Sequence, residues 1–258
     1  MAYQLGLVLS GGGTRGAAAI GAVKALQEAG IEAQCIAGTS VGALVGAFYG
    51  AGYGFADMMQ IFEEIPLFPL SGYTLHKPGI IDTGQYAERL SPYFEDVRFE
   101  DLSCPLHVAA TNLNTGGCEY FHSGPLIPAL LATTAVPGVF APVRVGEHLY
   151  VDGGIIDNFP VEQLAGHCCR ILGISLNPLE SIGDEALEST YAVLRRVYHI
   201  SLRHATAQKV DRCDWLVQPA ELLRYNIFDK AHLEEIFDIG YRETAPLCEA
   251  IRAELEAE

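Results

Sequence analysis

The segment Gly38-Thr39-Ser40-Val41-Gly42 constrains the fold more than any other part of the chain. An apolar run, Cys35-Ile36-Ala37, precedes it, and a helix-like run over residues 43–49 follows. A serine at a strand-to-helix junction sits on a turn too sharp for bulky neighbours. Glycines two positions to either side relieve the crowding. The hydroxyl then projects from the carboxyl edge of a sheet, above a helix N-terminus. A plainer use of the same residues is a buried turn whose serine caps the helix after it.

The chain ahead of this segment is built the same way. Residues 4–9 (QLGLVL) are continuously apolar rather than alternating, which suits a strand buried on both faces of a parallel sheet. Ser10-Gly11-Gly12-Gly13-Thr14-Arg15-Gly16 follows at once, and residues 17–29 read as helix closed by Gly30. A second strand over 34–37 delivers Ser40. Strand-loop-helix units in succession predict an open, mostly parallel α/β sheet. Further strands are expected at 106–111, 171–176 and 215–218, with a short return at 119–122 and a hairpin over 143–151 turning at Gly146. Helices are expected at 84–94, 126–134, 184–210 and 231–256. Gly42, Gly46 and Gly50 share one face of the helix after Ser40. Each costs a helix about 1 kcal/mol relative to alanine, so their alignment predicts close packing on the sheet. The aperiodic stretch between Pro66 and Pro78 reads either as a lid or as a surface connection. No linker or internal repeat interrupts the sequence, and one domain over residues 1–258 is expected.

Composition narrows the functional classes. Half of the residues are apolar and 19% are charged, enough for a packed core and too apolar for disorder. No run approaches about 18 apolar residues, so a membrane-spanning helix is not expected. The first residues carry no basic leader, and seven cysteines lie without zinc-type spacing, which fits reduced thiols in a cytoplasmic protein. No calcium-binding loop is visible, and neither metal nor cofactor is expected. A net charge of −16 argues against nucleic acid as a partner and against broad adhesion to anionic bilayers. One basic stripe, Arg195, His199 and Arg203 with Arg196 alongside, is either a peripheral membrane contact or a partner for Glu234, Glu235 and Asp238. The net charge favours the second.

The glycine loop Gly11 to Gly16 satisfies G-x-G-x-x-G between a strand and a helix, the setting of a dinucleotide-binding fingerprint. That fingerprint needs an acid near the end of the second strand to hold a ribose. Here that strand ends in Gly38-Thr39-Ser40, and Glu32 lies before it. The same loop has a second use: the backbone amides of Gly11, Gly12 and Gly13 suit a developing oxyanion, joined by the amide of Val41. Arg15 adds positive charge there, or else makes a structural ion pair. A serine nucleophile also needs a base. None of His76, His107, His122, His148, His167, His199, His204 and His232 stands in a context that marks it. His107 and His204 read as core residues, the second on a helical stripe with Val193, Val197 and Ile200. Asp152 ends a strand and precedes Gly153-Gly154, which leaves its carboxylate at an open edge or simply makes an Asp-Gly turn.

In order and spacing, Gly11-Gly12-Gly13-Thr14-Arg15-Gly16, Gly38-Thr39-Ser40-Val41-Gly42 and Asp152-Gly153-Gly154 resemble the motifs of patatin-like phospholipases. Residues 132–143 (ATTAVPGVFAPV) and Asp157-Asn158-Phe159-Pro160-Val161 resemble the blocks that flank the aspartate in that family, so the likeness covers about residues 5–175. It implies a three-layer α/β/α sandwich with a mostly parallel central sheet. It also implies a serine acyl hydrolase acting on an acyl ester or phospholipid. Ser40 would attack, Asp152 would accept its proton, the glycine loop would bind the oxyanion, and an acyl-enzyme would form. Two alternatives stay open: a dinucleotide-binding protein using the glycine loop, and a non-catalytic regulator on the same scaffold. An aspartate of ordinary pKa, about 3.9, is a poor base, so the hydrolase reading requires a desolvated site.

Overall fold

Tyr3–Leu9 forms the central strand β1, and from Leu5 onward every residue in it is buried. The computed structural model describes residues 2–64, 83–227 and 230–256. The stretch between Pro66 and Pro78, with His76, lies outside the described residues, as does the side chain of Arg195. After β1 come α1 (Gly16–Glu28), β2 (Cys35–Thr39), α2 (Val41–Gly50), α3 (Phe55–Glu64) and α4 (Thr83–Phe94). The chain continues through β3 (Leu106–Asn112), β4 (Cys118–Phe121), α5 (Leu126–Thr134), β5 (Val143–Val145) and β6 (His148–Asp152). It closes with β7 (Cys168–Ile174), α6 (Thr190–Ala207), β8 (Trp215–Val217), α7 (Leu233–Thr244) and α8 (Cys248–Glu256).

The strands form one sheet, hydrogen-bonded along the path β5-β6-β3-β2-β1-β7-β8, with β4 also paired to β3. The pairs β3-β2, β2-β1, β1-β7 and β7-β8 are parallel, while β4, β5 and β6 join antiparallel. This is the mostly parallel α/β architecture expected. Leu5, Leu7, Leu9, Ile36, Leu172 and Ile174 point to the core shared with α1, α2 and α7. Val8, Cys35, Ala37 and Ile171 point the other way, against Phe159, Val161 and Leu164. Burial on both faces explains the unbroken apolar runs of these strands; each buried leucine or isoleucine contributes about 1.5–3 kcal/mol.

Several expectations change in detail. α3 has no counterpart in the sequence reading, although Met58, Ile61 and Phe62 recur at helical spacing and are buried. The helix expected over 184–210 is broken: a short 3-10 turn, Asp184–Leu187, precedes Ser189, whose hydroxyl accepts from the Ala192 amide and starts α6 afresh. The helix expected over 231–256 is divided at Ala245–Leu247, where Pro246 lacks an amide for the helical ladder. The stripe expected in the core instead faces outward. Val193, Val197 and Ile200 are 42%, 58% and 47% exposed, and His204 is exposed with them. Leu202 and Thr206, on the opposite side of α6, are the residues that turn inward.

Candidate active site

Pairing to β3 determines where Ser40 and Asp152 lie. Ala110 pairs with both β4 and β6, so those two strands occupy opposite edges of β3. Val108 and Ala109 pair with both β4 and β2, so β2 also lies opposite β4. β2 and β6 therefore share one edge of β3 and run toward each other, meeting where Thr39 faces Ala109 and Asp152 faces Ala110. Ser40 and Asp152 stand at the two abutting ends.

Ser40 adopts φ 53° and ψ −125°, a strained conformation for a residue with a Cβ. It occupies the position before α2, yet its side chain makes no cap hydrogen bond there. The backbone is held from outside. The Ser40 amide donates to Thr133 Oγ1 at 2.8 Å, and the Thr133 hydroxyl donates to the Ala109 carbonyl at 2.5 Å. Gly42 lets the turn press against the end of β1, because a Cβ there would lie 2.3 Å from the Leu9 carbonyl oxygen. Gly38, the other glycine of the motif, lies in buried β2.

Asp152 is fully buried, and its Oδ1 accepts from the Gly154 amide at 2.8 Å, within a 3-10 turn formed by Gly153–Ile155. Oδ2 completes no hydrogen bond of good geometry. The Ser40 hydroxyl and the Tyr198 phenol nevertheless lie close enough to favour its charged form. Burial is the stronger effect and lifts the Asp152 carboxyl from 3.8 to about 6, against the pull of Ser40, the Gly154 amide and Tyr198. Burial also raises the Tyr198 phenol well above its ordinary value, and the neighbouring Asp152 adds to this. Among the described residues no histidine hydrogen-bonds Ser40.

The glycine loop is anchored rather than loose. The Gly11 amide donates to Asn158 Oδ1 at 3.1 Å, and its carbonyl accepts from Asn177 Nδ2 and Ser10 Oγ. Asn158 in turn donates to Thr206 Oγ1 on α6. Among the described residues the amides of Gly12 and Gly13 make no hydrogen bond, while the Gly12 carbonyl accepts from Arg15 N. Val41 opens α2, where first-turn amides have no intrahelical partner. Gly16 opens α1 and is packed beside Val41. Arg15 is buried, with Nε and Nη2 donating to the Tyr225 carbonyl and Nη1 to the Leu176 carbonyl. Its guanidinium is thus held by backbone oxygens, and burial lowers its pKa to about 10.

The sequence model of patatin-like phospholipases matches residues 7–165, which include all of these glycines, Ser40 and Asp152. The chain belongs to that family. An uncharacterized NTE family protein of Mycobacterium bovis is 34% identical over 181 residues, covering 69% of this chain and 50% of that protein. The lysophospholipase NTE1 of Kluyveromyces lactis is 26% identical over 273 residues, covering 92% of this chain and 18% of its own length. This patatin-like chain therefore spans half or less of these relatives. The crystal structure of VipD from Legionella pneumophila superposes with a TM-score of 0.51 at 16% identity, covering 97% of this chain and 67% of that one, and shows a shared fold.

The patatin-like site contains residues that its three motifs do not include. Thr133, Asn158 and Tyr198 hold the elbow, the loop and the carboxylate in turn. Thr133 and Asn158 fall inside stretches already noted for their resemblance, whereas nothing about Tyr198 in sequence distinguishes it from other helical tyrosines. Beside the loop, a cleft of about 350 Å³ is lined by Arg15, Pro178, Glu180, Arg196, His199 and Tyr225 among others. It opens past the carboxyl ends of β1 and β7, where the strand order reverses direction from β1, the usual place for a ligand in such sheets.

Proposed function

We propose that this patatin-like chain, as one domain over residues 1–258, is a serine acyl-ester hydrolase acting on lipid esters through Ser40 and Asp152. The observation that carries the reading is a fully buried carboxylate beside Ser40 with its pKa raised to about 6. A base of that strength is largely ionised at neutral pH yet closer to the proton affinity needed to accept from a serine than an ordinary aspartate. Attack by Ser40 Oγ on an ester carbonyl would pass its proton to Asp152, which then returns it to the leaving alcohol. The resulting acyl-enzyme would be cleaved by a water that Asp152 deprotonates. The oxyanion would be met by the amides of Gly12 and Gly13, which make no hydrogen bond among the described residues, and by that of Val41. The Gly11 amide, engaged with Asn158, supports the loop instead.

Arg15 serves this reading as an anchor of the loop, since its donors are committed to the carbonyls of Tyr225 and Leu176. A phospholipid substrate follows from the family alone. The test is labelling with a fluorophosphonate probe, followed by mapping of the modified peptide, alongside hydrolysis of a short-chain p-nitrophenyl ester. Modification at Ser40 and loss of both signals in Ser40→Ala are expected. Undiminished hydrolysis in Ser40→Ala would refute the assignment.

A further inference from the structure

α6 presents two unlike faces. Its inward side carries Tyr198 beside Asp152, Thr206 bonded to Asn158, and buried Leu202. Its outward side carries Val193, Leu194, Val197 and Ile200, with Leu194 63% exposed. Ile156, in the turn after Asp152, and Ile182, on the cleft rim, are exposed close by. Most of the exposed large apolar residues described in this chain thus gather around one helix rather than scattering, which marks an interaction surface.

Charge distinguishes what that surface meets. The chain holds 32 acidic residues, yet Thr190–Ala207 contains none, and carries Arg195, Arg196, Arg203, His199 and His204. Asp184, Glu185 and Glu188 lie ahead of the Ser189 cap. Helical phasing sets Arg196 and Arg203 along one flank of the apolar stripe, where Arg203 turns inward with its Nη1 buried and Arg196 stays at the rim. Arg196 Nη2 reaches the Glu180 carbonyl across the cleft. An exposed apolar stripe on a helix without acidic residues, with an arginine at its flank, is the pattern of a helix lying in the boundary between headgroups and acyl chains. No described helix is long and apolar enough to cross a membrane, so such a contact would be peripheral.

We propose that α6 docks the protein on an anionic lipid surface, with Val193, Leu194, Val197 and Ile200 entering the acyl boundary and Arg196 at their flank facing lipid phosphates. Docked in this way, the cleft beside the glycine loop opens at the surface from which a lipid would leave. This rests on the lipid-ester reading above but is tested apart from it. The global charge of −16 repels such a surface beyond the screening length, so the contact depends on the local patch and weakens with salt.

The experiment compares wild type, Val197→Glu/Ile200→Glu and Ser40→Ala. Each is measured for co-sedimentation with phosphatidylglycerol-containing and with pure phosphatidylcholine vesicles, and for hydrolysis of a water-soluble short-chain p-nitrophenyl ester. Wild type and Ser40→Ala should bind the anionic vesicles preferentially. The double variant should bind at least tenfold more weakly, about 1.4 kcal/mol, while hydrolysing the soluble ester at the wild-type rate. Equal binding by the double variant, or no binding by wild type, overturns the proposal. So does a wild-type dimer in light scattering that the double variant dissolves, which would assign the face to a second copy. Failure of soluble-ester hydrolysis in wild type with vesicle binding intact would sink the catalytic reading and leave the docking surface standing.

Discussion

Asp152 combines a useful pKa with a stability penalty. As the base of the proposed dyad it would work only when ionised, so kcat/KM should rise through pH about 6 and level off above it. The Tyr198 phenol favours the charged form, so Tyr198→Phe should move this acid limb to higher pH. A purely structural tyrosine would lower kcat without moving the limb. Because the folded pKa lies above the unfolded one, ionisation opposes folding. The penalty is complete above pH about 6 and absent below 3.8, and a two-unit shift corresponds to about 3 kcal/mol. Asp152→Asn should therefore raise the melting temperature at pH 8 and change it much less at pH 4, while removing activity. Ser40 holds a second reserve of strain. Ser40→Gly, free to adopt φ 53°, should be more stable than Ser40→Ala by about 1 kcal/mol in urea denaturation.

Among the elements, α1 and α7 make the closest approach. A Cβ at Gly240 would sit 1.9 Å from the Ala18 carbonyl oxygen, so the two helices pack backbone against backbone. Gly240→Ala should cost about 2 kcal/mol or more in a urea titration, since neither backbone can move aside without repacking. Nothing local announces this pair. The glycines of α2 were legible, because three at one spacing indicate a shared face; Gly46 meets Ile36 and Leu106, and Gly50 meets Leu102. α6 was misread for the opposite reason. Val193, Val197 and Ile200 repeat as a core stripe should, but the inward face is chosen by Leu202 and Thr206, whose neighbours Gly154 and Asn158 come from far back in the chain. Periodicity reveals a stripe without saying which side of the helix the rest of the protein will cover.

Across the whole molecule, the strand runs and the order of glycine motifs were enough for the sheet, because two-sided burial writes itself into composition. The meeting of Ser40 and Asp152 was not readable from either motif. It follows from registers with β3, and the glycine loop is tied to Asn158 at a separation of 147 positions. β1 is also flanked by β7, which lies beyond the matched family region. A fragment ending at residue 165 should therefore expose the unpaired edge of β1 and fail to give soluble, folded protein by circular dichroism, despite containing both Ser40 and Asp152.

The head-on arrangement of β2 and β6 makes the meeting of Ser40 and Asp152 depend on parity. Deleting one residue between the β5-β6 turn and Asp152 would rotate the carboxyl to the far side of the sheet if the remaining pairing held. Deleting two would restore its facing but withdraw it by roughly 7 Å. On the proposed dyad, loss of function along this strand should thus come as a switch rather than a slope, and length changes that preserve the meeting of Ser40 and Asp152 have to fall in the loops outside it.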